Sequence, residues 1–245
     1  MKPFTRCLSA LCALVFLCAA GCQKEDQTPS LLIEGMENCA VEPDVGMAAA
    51  TAGDTTRMAV FTTLKIPRSD TLSSLLEKEK TTWLNAAQKA LDDDETMTSI
   101  ESTMEVTYNQ AGLLSILRTE SRVYQGAAYP TLSYSARTFS LAAEKELSAK
   151  DLILTDGKAS SDRDILQLVS ENFTAQIEKD PGAYLPDAQE ALKSAVKNYG
   201  FYLAGDQLMF FLPAESVAPH AAGMSSFGLP YSNASLFAVK IPAAK

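Results

Sequence analysis

Apolar positions along the chain repeat with two periods, and the switches between them mark its elements. Thr56–Ile66 carries Met58, Val60 and Phe61 and stops at Pro67, which predicts a strand. Ser69 or Asp70 stands where a helix would begin. Leu72, Leu76, Trp83, Ala87 and Leu91 then return on one face, widened by Leu75 and Leu84, so this helix is expected to run to Leu91. Thr103–Tyr108 alternates, with Met104, Val106 and Tyr108 on one side, and Asn109–Gly112 reads as a hairpin turn. Leu113–Tyr124 follows as a strand and Thr131–Leu141 as another, whose alternation shifts at Phe139 and suggests a bulge. Ile165, Val169, Phe173 and Ile177 recur every four residues and predict a helix over Asp162–Glu178, with a short helix at Asp187–Lys197 beyond Pro181-Gly182. Phe201–Leu203 and Leu208–Leu212 flank the turn Ala204–Asp206 as a second hairpin, and Leu236–Ile241 reads as a final strand. Residues 40–55 have no clear period and read as a linker or an irregular edge.

This order predicts an α+β fold, with helices packed on one face of largely antiparallel sheets and a three-stranded antiparallel meander in the middle. Regular strand-helix alternation, as in a doubly wound fold, is absent.

The first 29 residues follow other rules. Lys2 and Arg6 precede a mostly apolar run, Leu8–Ala20, and no acidic residue occurs before Glu25. The run is short for a hydrocarbon core that needs roughly 20 helical residues, and reads as an export signal. It ends Leu17-Cys18-Ala19-Ala20-Gly21-Cys22, which resembles the bacterial lipobox. That resemblance implies cleavage after residue 21 and lipid attachment at Cys22, holding the protein on the extracytoplasmic side of a bacterial membrane. The polar stretch Gln23–Ser30 suits a tether. The plain reading of the same residues is a secretory signal cut near Ala20.

Composition and charge then narrow the classes. An apolar content of 47% excludes a disordered chain. The balance of 21 basic against 30 acidic residues disfavours a nucleic-acid partner. Loss of residues 1–21 removes Lys2 and Arg6 and no acidic residue, leaving 19 against 30, a charge of -11. It also removes Cys7, Cys12 and Cys18, so with Cys22 acylated Cys39 is a lone thiol, read as a tolerated residue in a loosely ordered segment.

Candidate chemistry is sparse. His220 is the one histidine, so no metal cluster of His and Cys ligands is expected, and no cofactor motif appears. The acidic run Asp92–Glu95 lacks the glycine of a calcium loop and reads as solvated. Ser194-Ala195-Val196-Lys197 matches S-x-x-K without a K-T-G partner.

Three phrases in the last third carry a resemblance: Phe201-Tyr202-Leu203 with Asp206–Phe211, Val217–Gly223 around Pro219 and His220, and Leu229-Pro230-Tyr231-Ser232. They resemble the extracytoplasmic domain shared by RsiV-type anti-sigma factors and PdaC-type peptidoglycan deacetylases, with Phe139–Leu152 resembling its entry to the central helix. In the loop His220 stands where that family has tyrosine. Neither the sigma-binding part of the one group nor the catalytic domain of the other is among the matched phrases, so the resemblance implies neither activity. It implies a domain at 101–245, after a smaller α/β part at 56–100, a tether and irregular segment at 22–55 and the signal at 1–21. It also implies that Tyr202, Phe210, Pro219, His220, Gly223 and Tyr231 keep the fold or touch a ligand.

The expected function is a non-enzymatic, membrane-tethered binding or sensing module. Its ligand would be a cell-wall component or a basic secreted protein such as lysozyme, which some anti-sigma members bind. A glycan-acting enzyme or accessory, expected to show paired acidic residues in a groove, and a purely structural lipoprotein are the alternatives. The oligomeric state is left open.

Overall fold

Alternation and helical period place their apolar residues against each other in two sheets. The computed structural model describes residues 30–52 and 55–244, so the signal and Cys22 lie outside the described residues. The larger sheet has six strands in chain order: β1 (Glu42–Ala52), β2 (Thr55–Lys65), β3 (Met97–Gln110), β4 (Leu113–Tyr124), β5 (Thr131–Ser140) and β6 (Lys145–Leu147). All neighbours are antiparallel except β2 and β3, which are parallel and joined by helix α1 (Asp70–Asp93). A parallel pair needs such a crossover. β3 runs through residue 100, and one sheet joins the residues on either side of it.

Residues 42–52, expected as linker or irregular edge, form a full strand paired with β2 over eleven residues. β1 lacks large alternating side chains because α1 lies close over it. A Cβ at Gly46 would fall 2.6 Å from Leu84 Cδ1 and 3.1 Å from Lys80. Helix α1 begins where Ser69 Oγ accepts the Leu72 N–H at 3.2 Å. It buries Leu72, Leu76, Ala87 and Leu91 on the sheet, about 2 kcal/mol for each leucine. The helix passes Leu91 and takes in Asp92 and Asp93, and the Asp94 carbonyl is held by Arg57 Nη1 at 2.7 Å.

The alternation in β3 breaks between Val106 and Tyr108, where the register with β4 slips by one residue. Val106 pairs with Ile116 and Tyr108 with Ser115, so Tyr108 turns to the face opposite Met104 and Val106. The bulge thus lies in β3. The β4–β5 register is unbroken from Leu113 to Arg122, and the shift at Phe139 arises because both faces of the sheet are covered there. The hairpin turn between β3 and β4 has Ala111 and Gly112 at positive φ, as a two-residue turn requires.

After α2 (Ala149–Leu152) and a small ribbon of β7 (Leu154–Thr155) and β8 (Lys158–Ala159) come α3 (Asp162–Lys179) and α4 (Ala188–Ala195). They cover a three-stranded sheet in the order β11 (Ser226–Pro230), β10 (Gln207–Phe211), β9 (Gly200–Ala204). Ile165, Val169, Phe173 and Ile177 of α3 are all buried, and the Phe173 ring meets Phe227 edge-on at 5.1 Å. The third strand is therefore Ser226–Pro230. The expected strand at Leu236–Ile241 makes one isolated bridge, Phe237 to Ile153, and buries Phe237 and Ile241 as a strap over the core. The segment around Cys39 is bolted down: Ile33 and Met36 bond to Ala111, and the Asn109 side chain bonds both backbone groups of Cys39. Cys39 is a buried free thiol, and burial pushes its pKa up.

Candidate functional site

The registers assign every side chain of the large sheet to a face. On one face Ala59, Phe61, Ile100, Ser102, Leu114 and Ile116 are buried beneath α1. Several charges on that face are paired. Arg118 lies 4.0 Å over the Phe61 ring and gives Nη1 to the Thr62 carbonyl at 2.6 Å, and its Nε faces Glu79 at 3.3 Å. Arg137 bridges Glu79 at 2.8 Å and Glu146 at 2.6 Å, and the Trp83 indole donates to Glu120 at 2.5 Å. Burial lowers the Arg118 pKa, which the Glu79 charge offsets.

The opposite face stays largely open. The small sheet docks on it edge first. The backbone N–H of Leu203 in β9 donates to Ser115 Oγ at 3.0 Å, and Ser115 shares a 2.8 Å hydrogen bond with Thr138. These two small buried hydroxyl residues let a strand edge approach a sheet face with its donor satisfied.

Beyond that junction the registers lay out rows across the sheet. One row runs Met47, Val60, Glu101, Ser121, Leu132, and another Ala49, Met58, Ser99, Val123. Two shorter rows are Thr103, Thr119, Tyr134 and Glu105, Leu117, Ala136. Met47, Met58, Glu101, Thr103, Glu105 and Val123 are exposed and the β4 and β5 members half-buried. The rows contain apolar, hydroxyl and acidic side chains and no basic one.

The six residues singled out from the sequence do not converge. Phe210 is fully buried, stacked at 5.3 Å on Phe227, and Tyr231 is buried against Tyr108 and Phe237. Both keep the core. Burial raises the Tyr231 pKa, and burial pushes Tyr108 up to about 12 while its hydroxyl donates to the Pro242 carbonyl at 2.6 Å. Tyr202 sits at the junction, where burial first and the nearby Glu105 charge second raise its pKa. Pro219 and Gly223 shape the exposed loop, with Gly223 at φ 70°. His220 is in that loop, its Nδ1 at 2.7 Å from Glu215 Oε1 and its ring stacked at 4.2 Å on Tyr129 from the β4–β5 turn. His220 and Tyr129 thus clasp the tip of the β4–β5 hairpin to the C-terminal body.

The open-face residues Glu101, Thr103 and Glu105 were missed as a site. Their spacing of two is a strand signal, but only the pairing partners show that the face they share is uncovered. A hollow of about 810 Å³ follows α1 past Asp70, Glu77 and Lys80, and Lys80 there is already paired to Asp44 and Glu77. Among the described residues no group of three or more His, Cys, Asp and Glu is placed to hold a metal, and no helix is long and apolar enough to cross a membrane.

Comparison with known proteins bears on the fold. Residues 150–232 match a family described as "Protein of unknown function (DUF3298)". Two solved structures share the architecture. A DUF3298 family protein from Pseudomonas aeruginosa PAO1 aligns with a TM-score of 0.61 at 14% identity, covering 85% of this chain and 99% of that one. A member of the same family from Bacteroides fragilis aligns with a TM-score of 0.51 at 16% identity, covering 83% and 96%. The comparison with curated proteins finds no match. The chain has the mixed α+β fold of DUF3298 proteins, as the sequence pattern predicted.

Proposed function

We propose that this chain is a non-enzymatic binding module, lipid-anchored through Cys22 on the extracytoplasmic side of a bacterial membrane. In this reading it is kin to the extracytoplasmic domain of RsiV-type and PdaC-type proteins. It takes its ligand, a basic secreted protein such as lysozyme or a cell-wall component, on the open face of the large sheet.

One observation carries the reading: a broad sheet face, clear of α1, whose exposed rows among the described residues carry Glu101 and Glu105 and no basic residue. A formal charge of -9 for the chain adds long-range attraction for a basic partner.

The test is retention of lysozyme and of purified peptidoglycan by the chain from Gln23 onward, compared with the E101K/E105K variant. Retention of lysozyme that weakens with salt and is lost in the variant is expected. Retention of neither ligand would remove the reading. For the anchor, incorporation of a labelled lipid should vanish in Cys22→Ala, and label that persists would refute lipid attachment at that residue.

A further inference from the structure

We infer that the outer edge of β1 pairs antiparallel with the same edge of a second copy, joining the two large sheets into one. β1 holds an unbroken register with β2 over eleven residues, and among the described residues no strand lies beyond it. It thus presents a row of backbone donors and acceptors that no described strand pairs, an edge of the kind proteins ordinarily blunt. The other edges are blunted: β6 has three residues, β11 has five and ends in Pro230, and β9 is docked on Ser115. From Val45 to Ala52 the β1 edge reads Val-Gly-Met-Ala-Ala-Ala-Thr-Ala, without a charge or a proline.

A second copy is the occupant because an antiparallel strand is its own complement about a two-fold axis. With the axis at Met47, Val45 meets Ala49 and Asp44 meets Ala50, so no charge faces its image. Asp44 is in any case held by Lys80 at 2.6 Å. The small side chains of Ala48, Ala49 and Ala50 keep the approach unobstructed. Met47, 67% exposed, and Val45, 55% exposed, would gain cover that the monomer does not give them. Like-charged copies repel at long range, so the pairing should strengthen as salt screens that repulsion. This inference does not depend on the ligand reading.

The test is sedimentation velocity of the chain from Gln23 onward, which contains every described residue, over a concentration series at low and high salt. Amide exchange is followed in parallel. A concentration-dependent dimer is expected, stronger in high salt, with exchange protection across residues 45–51 rising with dimer content. M47K and A49K should each weaken the dimer roughly tenfold or more. Val123→Lys, on the same face but distant from the edge, should leave it unchanged. Because positions 47, 49 and 123 are exposed, circular dichroism should show all three variants folded. A monomer at every concentration and salt, or a dimer indifferent to M47K and A49K, would overturn the inference. Protection of residues 45–51 that does not depend on concentration would also overturn it.

Discussion

The two faces of the six-stranded sheet are built from the same strands, often from neighbouring residues, and do opposite things. Ser102 is fully buried between the exposed Glu101 and Thr103, and Ile116 is buried beside the half-buried Leu117. Under α1 Arg118 and Arg137 share the Glu79 carboxylate and Arg57 gives Nη1 to the Asp94 carbonyl, because a buried guanidinium needs such contacts. On the open face Glu101 and Glu105 need no such arrangement, since water solvates them. Burial therefore sets the chemistry of each face, and burial is set by where α1 and β9 come down.

The contrast can be broken at several strengths. Glu79→Ala removes the carboxylate shared by Arg118 and Arg137 and should cost about 3 kcal/mol or more in denaturant unfolding, with Glu79→Gln intermediate. Gly200→Ala crowds the small sheet itself, where Gly200 of β9 faces Phe211 of β10. Its Cβ would lie 2.1 Å from the Phe211 ring, so a loss of about 2–3 kcal/mol, read as a lowered Tm, is expected. Ser69→Ala removes the α1 cap and should cost about 1 kcal/mol by the same measurement.

The acid limb of stability gives a smaller effect. The hydrogen bond from Lys80 holds the Asp44 pKa below its ordinary 3.8, so the unfolded state takes up that proton first. The contribution is complete above the ordinary value and lost as pH falls through the folded one. Asp44→Asn should thus be less stable near neutrality and show a shallower decline in acid. Smallest of all, Thr103→Ala on the open face should stay within about 0.5 kcal/mol of the parent while measurably weakening lysozyme retention.

Much of the molecule was legible before the structure. The stripes of α1 and α3 appear in the burial of Leu72, Leu76, Ala87 and Leu91 and of Ile165, Val169, Phe173 and Ile177. Their periods were readable because one face of each helix meets a core. β1 was illegible for a related reason: under a close-lying helix it needs glycine and alanine, residues that carry no alternation. Leu236–Ile241 imitated a strand because a strap across a core also buries alternate side chains. Of the six residues singled out from the sequence, Tyr202 lies at the junction and His220 in the clasp. The residues that form the open face drew no attention, since threonine, glutamate and methionine on a strand are ordinary.

The sequence by itself determined most of the element types, the α+β class, the acidic charge and the scarcity of histidine, because these depend on local period, propensity and counting. The tertiary structure decided the parallel β2–β3 pair, the turn of Tyr108 to the opposite face at the β3 bulge, the ion-paired face beneath α1 and the open one behind it. Those depend on contacts between residues far apart in the chain. One hydroxyl pair, Ser115 and Thr138, marks where the second sheet comes to rest, and nothing local to either residue foretells that.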